Sequence, residues 1–154
     1  MANHFCAGAS FLEVEGTWYT LATSSIDKEE EMRIPGGMSR DDCGETPRVT
    51  LAREFQEETP YTIQAFQRVP VCEVVKKDGH KKFFFLILAF NRKPYRSDTC
   101  KRQERKGYIV TRWVPVRTFW EHLIYDHRKP FQAVMEAFAV KNQRFAHMFS
   151  DLCP

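Results

Sequence analysis

Glu54, Glu57 and Glu58 fall at i, i+3 and i+4, so a helix through them stacks three carboxylates on one face. Like charges gathered in this way repel unless something positive neutralises them. Three oxygen-bearing side chains suit a hard divalent cation, Mg²⁺ above all. They belong to the run Arg53-Glu54-Phe55-Gln56-Glu57-Glu58, with Gly44-Glu45-Thr46-Pro47 before it and Pro35-Gly36-Gly37 further back. Paired glycines let backbone approach a ligand or turn sharply. An acidic patch on a helix is usually a solvated face, and Glu57-Glu58 alone would carry no more than that. The spacing to Glu45 and the paired glycines make a functional cluster the better reading.

The elements that must position these residues are legible around them. Thr46 is a good N-cap and Pro47 a good first helical residue, and the residue before Pro60 is biased out of the helical region, so the helix should end near Glu58. Val49, Leu51, Ala52 and Phe55 form an apolar arc that anchors it. Upstream, residues 5–13 read as a strand paired through a turn at Gly16 with residues 17–23, and residues 24–31 as a polar surface loop. Residues 38–44 form another loop. Downstream, residues 65–75 and 81–91 read as antiparallel strands joined at Asp78-Gly79, a strong hairpin signal. Residues 92–106 read as a long basic loop and residues 108–114 as a last strand. A short helix over residues 116–125 follows. A longer one opens at Pro130, striped by Phe131, Val134, Met135, Phe138, Phe145 and Phe149. Strands surrounding one central helix fit an α/β fold, a mixed sheet sandwiched between helices.

At 154 residues the chain is read as one domain, residues 1–154, with a core rich in its 13 phenylalanines. A net charge of +3 is compatible with anionic small molecules or nucleic acid and demands neither. Five scattered cysteines without a CxxC pair argue against zinc and against a disulfide framework, and fit free thiols in a reducing cytoplasm. No stretch approaches the ~20 apolar residues of a membrane span.

Read together, these residues resemble the Nudix hydrolases, whose signature is G-x5-E-x7-R-E-U-x-E-E-x-G-U, with U a bulky aliphatic residue. Glu45 lies eight residues before Arg53, as the signature requires, and aromatic Phe55 takes a U position. The box runs from Gly37 to Tyr61, about a sixth of the chain. Ala7-Gly8-Ala9 and Arg112-Trp113-Val114-Pro115 also look like family features. Two departures stand out. Seven residues separate Gly37 from Glu45 where the signature has five, an insertion around residues 39–43, and Pro60 holds the glycine position after the helix. Proline cannot take the left-handed cap that glycine gives there, so the helix must end differently.

The resemblance implies a Nudix-type α/β/α sandwich and hydrolysis of a diphosphate linkage in a nucleoside diphosphate joined to another moiety. It implies that Glu54, Glu57 and Glu58 bind Mg²⁺, with Mn²⁺ as a substitute and the Gly36 carbonyl as a further ligand. Arg53 then holds the cluster in register, and Glu45 either supports that scaffold or binds metal through water. Glu104, ahead of the last strand, matches the region from which many members take a general base or extra metal ligand. A solvated Glu among Lys101, Arg102, Arg105 and Lys106 is an equal alternative, and Asp98 a weaker competitor. An RNA 5′ end is the alternative substrate, and a non-catalytic nucleotide sensor the alternative class. Family members are often homodimers. The basic groups Lys76-Lys77, His80-Lys81-Lys82, Arg92-Lys93 and Arg96 read first as solubilising turns and second as a phosphate-binding rim. His122 and His127 read as surface or helix-end residues, Trp18, Trp113 and Trp120 as core, and Tyr95 as a loop aromatic able to stack on a base.

Overall fold

The computed structural model describes residues 3–40 and 44–154. In chain order these form β1 (His4–Ala9), β2 (Phe11–Val14), β3 (Thr17–Ser25), β4 (Lys28–Arg33) and β5 (Gly36–Met38). Helix α1 (Pro47–Glu58) is followed by β6 (Ile63–Phe66), β7 (Cys72–Val75), β8 (Lys81–Phe90), β9 (Thr99–Glu104) and β10 (Gly107–Pro115). Helices α2 (Val116–His122), α3 (Tyr125–Lys141) and α4 (Gln143–Leu152) close the chain.

Strand β8 explains the layering. Its four central residues, Phe84 to Ile87, are all buried, so both faces of the strand are covered. Phe85 packs with Cys6 and Leu51, and Ile87 with Phe55, on the α1 side. Phe84 and Leu86 pack with Phe131, Val134 and Met135 of α3 on the other. β1 runs parallel to β8 while β5, β6 and β7 are antiparallel to their neighbours, so this sheet is mixed. Helix, mixed sheet and helix make the α/β/α sandwich expected from the sequence. A second, antiparallel sheet in the order β2-β3-β10-β9, with β4 on the far side of β3, stands beside it. The phenylalanines do build the core: Phe119, Phe131 and Phe145 are fully buried, with Phe11, Phe138 and Trp18 packed around them.

Several boundaries differ from the sequence reading, each for a physical reason. The first strand breaks at Ser10, and the strand expected over residues 65–75 divides into β6 and β7 around Pro70, which has no N–H to give a ladder. Residues 24–31 and 92–106 are not only loops, because β4 and β9 lie within them. Both are charged strands of the second sheet with little alternating apolar signal; β4 buries only Met32 fully. Helix α3 begins at Tyr125 and contains Pro130, and the phenylalanine stripe continues onto a separate helix. The break falls at Asn142, whose side-chain oxygen accepts the Phe145 N–H at 3.0 Å as the cap of α4. His127, read as a surface residue, is buried, and its Nδ1 accepts the Ile34 N–H at 3.1 Å. Burial above all holds its pKa down to about 3, so it stays neutral.

Among the described residues Cys6, Cys72, Cys100 and Cys153 are free, and Cys43 lies outside them. No described helix is long and apolar enough to cross a membrane. The inserted loop falls partly on residues 41–43, outside the described residues.

Candidate active site

Helix α1 starts where the sequence places it: Thr46 Oγ1 accepts the Val49 N–H at 3.4 Å, and Pro47 opens the first turn. Its orientation is less expected. Leu51 and Phe55 are fully buried, but Val49 and Ala52 are exposed, and the inward arc also takes in Thr50, Glu54 and Glu58. The acidic face is therefore covered, by β5 on one side and β9 on the other.

The paired glycines account for that closeness. A methyl group on Gly37 would stand 2.3 Å from the Glu54 carboxyl carbon and its Oε2, far inside contact distance. One on Gly36 would stand 2.0 Å from the Cys6 carbonyl oxygen. Only residues without a Cβ let β5 pass between β1 and the helix carboxylates. The Gly36 N–H donates to Glu58 Oε2 at 3.1 Å.

Arg53 organises the exposed edge of the cluster. Its Nε and Nη2 grip Glu45 in a two-pronged pair at 2.8 and 2.9 Å. Nη1 donates to Glu54 at 2.7 Å and to Glu57 at 3.5 Å, and Nη2 also to the Met38 carbonyl at 3.0 Å. Glu45 accepts in addition from the Arg40 N–H and the Thr50 hydroxyl, and Thr50 is tied to His4. The Arg53 hydrogen bonds bring the Glu45 carboxyl down to about 2 against the opposing effect of burial. Both Glu45 carboxylate oxygens are thus engaged by donors from Arg40, Thr50 and Arg53.

Glu58 is the opposite case. It is 5% exposed and has no ion pair among the described residues. Burial, then the neighbouring Glu54 charge, push its carboxyl up to about 8 in spite of the Gly36 N–H and the more distant Arg33 and Arg102. Burial likewise raises Glu54, opposed by Arg53. Glu57 is the most open of the three, its side chain 32% exposed.

β9, missed in the sequence, brings Arg102 over the same cluster: its Nη1 lies 3.3 Å from Glu57 Oε2 and 3.8 Å from Glu54 Oε2. Arg40 Nη2 lies 3.8 Å from the other Glu57 oxygen, Oε1. The alternation of β9 puts Glu104 on the same strand face as Arg102, but among the described residues Glu104 has no ion pair. It lines a cavity of about 400 Å³ with Ser25, Arg33, Lys106 and Tyr108. Asp98 belongs to a different group, accepting from the Tyr61 hydroxyl at 2.5 Å, the Tyr95 N–H at 3.0 Å and Arg92 at 3.2 Å. Trp113 Nε1 donates to the Tyr61 oxygen at 2.9 Å, so Trp113 is core, as is Trp18. Arg92 also covers the Tyr61 ring, and Arg96 reaches the Tyr19 hydroxyl. These loop cations serve internal contacts. Lys76, Lys77, His80, Lys81 and Lys82 gather with Asp78 at the β7–β8 turn, around a cavity of about 630 Å³ with Phe5 and Met38; Lys76 pairs there with Asp126, His80 with Asp78 and Lys81 with Glu73.

The donor set fits a divalent cation: all-oxygen ligands, a buried carboxyl short of positive charge, and a backbone strand pressed against it. Arg53 and Arg102 face Glu54 and Glu57, and no three acidic, histidine or cysteine residues among those described converge into a ready ligand cage. The carboxylates would have to exchange arginine for metal.

Comparisons with known proteins give a consistent picture at the level of the fold. No family model matches the chain, and no curated protein is a significant match. Solved structures do match. The Nudix domain of Shewanella oneidensis NrtR, solved in complex with ADP ribose, is 16% identical with a TM-score of 0.66, over 88% of this chain and 87% of that one. A MutT Nudix hydrolase from Burkholderia pseudomallei is 18% identical with a TM-score of 0.55, over 86% of this chain and 97% of that one. A MutT/Nudix family protein from Listeria innocua is 15% identical with a TM-score of 0.58, over 90% and 95%. The sandwich around a carboxylate-bearing helix, capped at Thr46 and pressed on Gly36-Gly37, is the Nudix fold.

Proposed function

We propose that this chain, a single domain over residues 1–154, is a Mg²⁺-dependent pyrophosphohydrolase that cleaves a diphosphate linkage in a nucleoside diphosphate derivative, with Mn²⁺ able to substitute. The observation that carries the reading is Glu58: a buried carboxyl beside Glu54, hydrogen-bonded to the Gly36 N–H and without a cation in direct contact among the described residues. Such a group is costly in a fold unless a charge arrives to meet it.

Glu54, Glu57 and Glu58 would hold the ion, with the Gly36 carbonyl as a further oxygen ligand. When bound, Mg²⁺ neutralises phosphate oxygens and lowers the pKa of a coordinated water. Arg53 keeps Glu45, Glu54 and Glu57 in register through the bonds described above. Glu104, open to solvent beside the cavity that Arg33 lines, is the residue proposed to take the proton from the attacking water. A cytoplasmic setting and a homodimer go with this reading.

Two other readings have one observation each. The NrtR Nudix domain was solved with ADP ribose, which supports a nucleotide-sugar ligand and, if turnover is absent, a sensor. The basic cavity at the β7–β8 turn supports an RNA 5′ end. A panel of nucleotide sugars, dinucleoside polyphosphates, dNTPs and 5′-triphosphate RNA, assayed with Mg²⁺, separates the three. Mg²⁺-dependent cleavage of a small nucleotide supports the enzyme proposed here. Tight binding without cleavage supports the sensor, and preference for RNA over every nucleotide supports the third.

A further inference from the structure

Two arginines face the helix carboxylates, and they are held very differently. Arg53 is locked, with hydrogen bonds to Glu45, Glu54, Glu57 and the Met38 carbonyl and a side chain 17% exposed. Arg102 touches Glu57 and Glu54 through a single nitrogen at 3.3 and 3.8 Å, no hydrogen bond joins it to either, and its side chain is 34% exposed. It comes from β9, a strand not connected to the helix in sequence; it shares Glu57 Oε2 with Arg53 and faces Glu54 Oε2, whereas Arg53 holds Glu54 through Oε1.

From this difference we infer that Arg102 is an exchangeable counter-ion: it neutralises Glu54 and Glu57 while the metal is absent, gives way when a divalent cation takes them, and is then left beside the ion as a free cation for the diphosphate oxygens. The inference rests on the metal-site reading and deepens it by naming a substrate-binding residue outside the helix. A loose single-nitrogen pair in partial solvent is a weak competitor for a carboxylate, whereas Mg²⁺ binds oxygen at ~2.1 Å. Arg53 cannot make the same move without breaking the Glu45 pair. A guanidinium released next to a bound cation gains most from a ligand with adjacent anionic oxygens, which its planar fork can grip in pairs.

The test uses two ligands on the whole chain: Mn²⁺ alone, followed by the resonance of the free ion, and α,β-methylene-ADP in excess Mg²⁺, followed by calorimetry. Arg102→Gln removes a competitor for the metal and a partner for the diphosphate, so the two affinities should move in opposite directions. Mn²⁺ should bind about threefold tighter, and α,β-methylene-ADP about tenfold weaker. Arg102→Lys keeps the charge without the fork, so it should keep wild-type Mn²⁺ affinity and lose part of the ligand affinity. Unchanged or weaker Mn²⁺ binding in Arg102→Gln overturns the inference and leaves the metal site standing. If Arg102→Gln does not fold, unchanged ligand affinity in Arg102→Lys overturns it equally. Failure of the wild type and the variants to bind Mn²⁺ at all overturns the metal-site reading and the inference together.

Discussion

Glu58 sits where an ionised carboxylate is least welcome, between the helix and β5, with one N–H for company. Its folded value of about 8 lies above the ordinary 4.5, so the metal-free fold has this contribution in full below about 4.5 and loses it as pH rises through about 8. In EDTA, the thermal midpoint of the wild type should therefore fall over that range relative to Glu58→Gln, which still accepts the Gly36 N–H but carries no charge. The difference should be of the order of a few kcal/mol by pH 8. Parallel pH curves for the two proteins would remove the electrostatic basis of the site. Glu104 is the least constrained residue of the proposed machinery, with no ion pair among the described residues and exposed at the rim of its cavity. If it acts as the base, Glu104→Gln should lower turnover ~10²-fold while leaving the unfolding midpoint in place. Unchanged kinetics would return Glu104 to a solvated strand end.

At the scale of elements, α1 was legible in the sequence from Thr46 to Glu58 because capping, the Pro60 bias and the apolar spacing all agree. What the spacing could not show was rotation. Val49 and Ala52 lie at the solvent while Glu54 and Glu58 turn inward, because Gly36 and Gly37 let β5 come in close. Gly37→Ala puts a methyl group on top of the Glu54 carboxyl, and should cost about 1–3 kcal/mol in denaturant unfolding and loosen metal binding with it. Wild-type stability in that variant would mean that β5 and the helix are not in contact as described. The far end of the helix closes without a glycine: Thr59 is extended, its N–H and hydroxyl both donate to the Phe55 carbonyl, and its oxygen accepts the Tyr61 N–H. That cap makes Pro60 harmless and delivers Tyr61 to Asp98 and Trp113. β9 was illegible for the reason that it matters. Thr-Cys-Lys-Arg-Gln-Glu has no apolar alternation, because it is paired only to β10 and its polar groups face the site or the solvent.

For the whole molecule, the α/β/α layering followed from the order of strands around one central helix, and the mixed sheet flanked by α1 and α3 is what forms. The second sheet was out of reach, since two of its strands carry charge where a pattern was needed, and register across a sheet is set by partners distant in sequence. His127 shows the same limit: its burial comes from Phe5, Phe84 and the Ile34 N–H, none of them near it in the chain. The account as a whole stands on metal-dependent diphosphate cleavage carried by the α1 carboxylates, and Glu57→Gln reaches that claim most directly. Glu57 is the open carboxylate, so the exchange keeps volume and fold while removing a charged ligand. On whichever nucleotide of the panel the wild type cleaves fastest, the account predicts Mg²⁺-dependent turnover abolished by EDTA and lowered at least ~10²-fold in Glu57→Gln. Undiminished turnover in Glu57→Gln with EDTA present would contradict it.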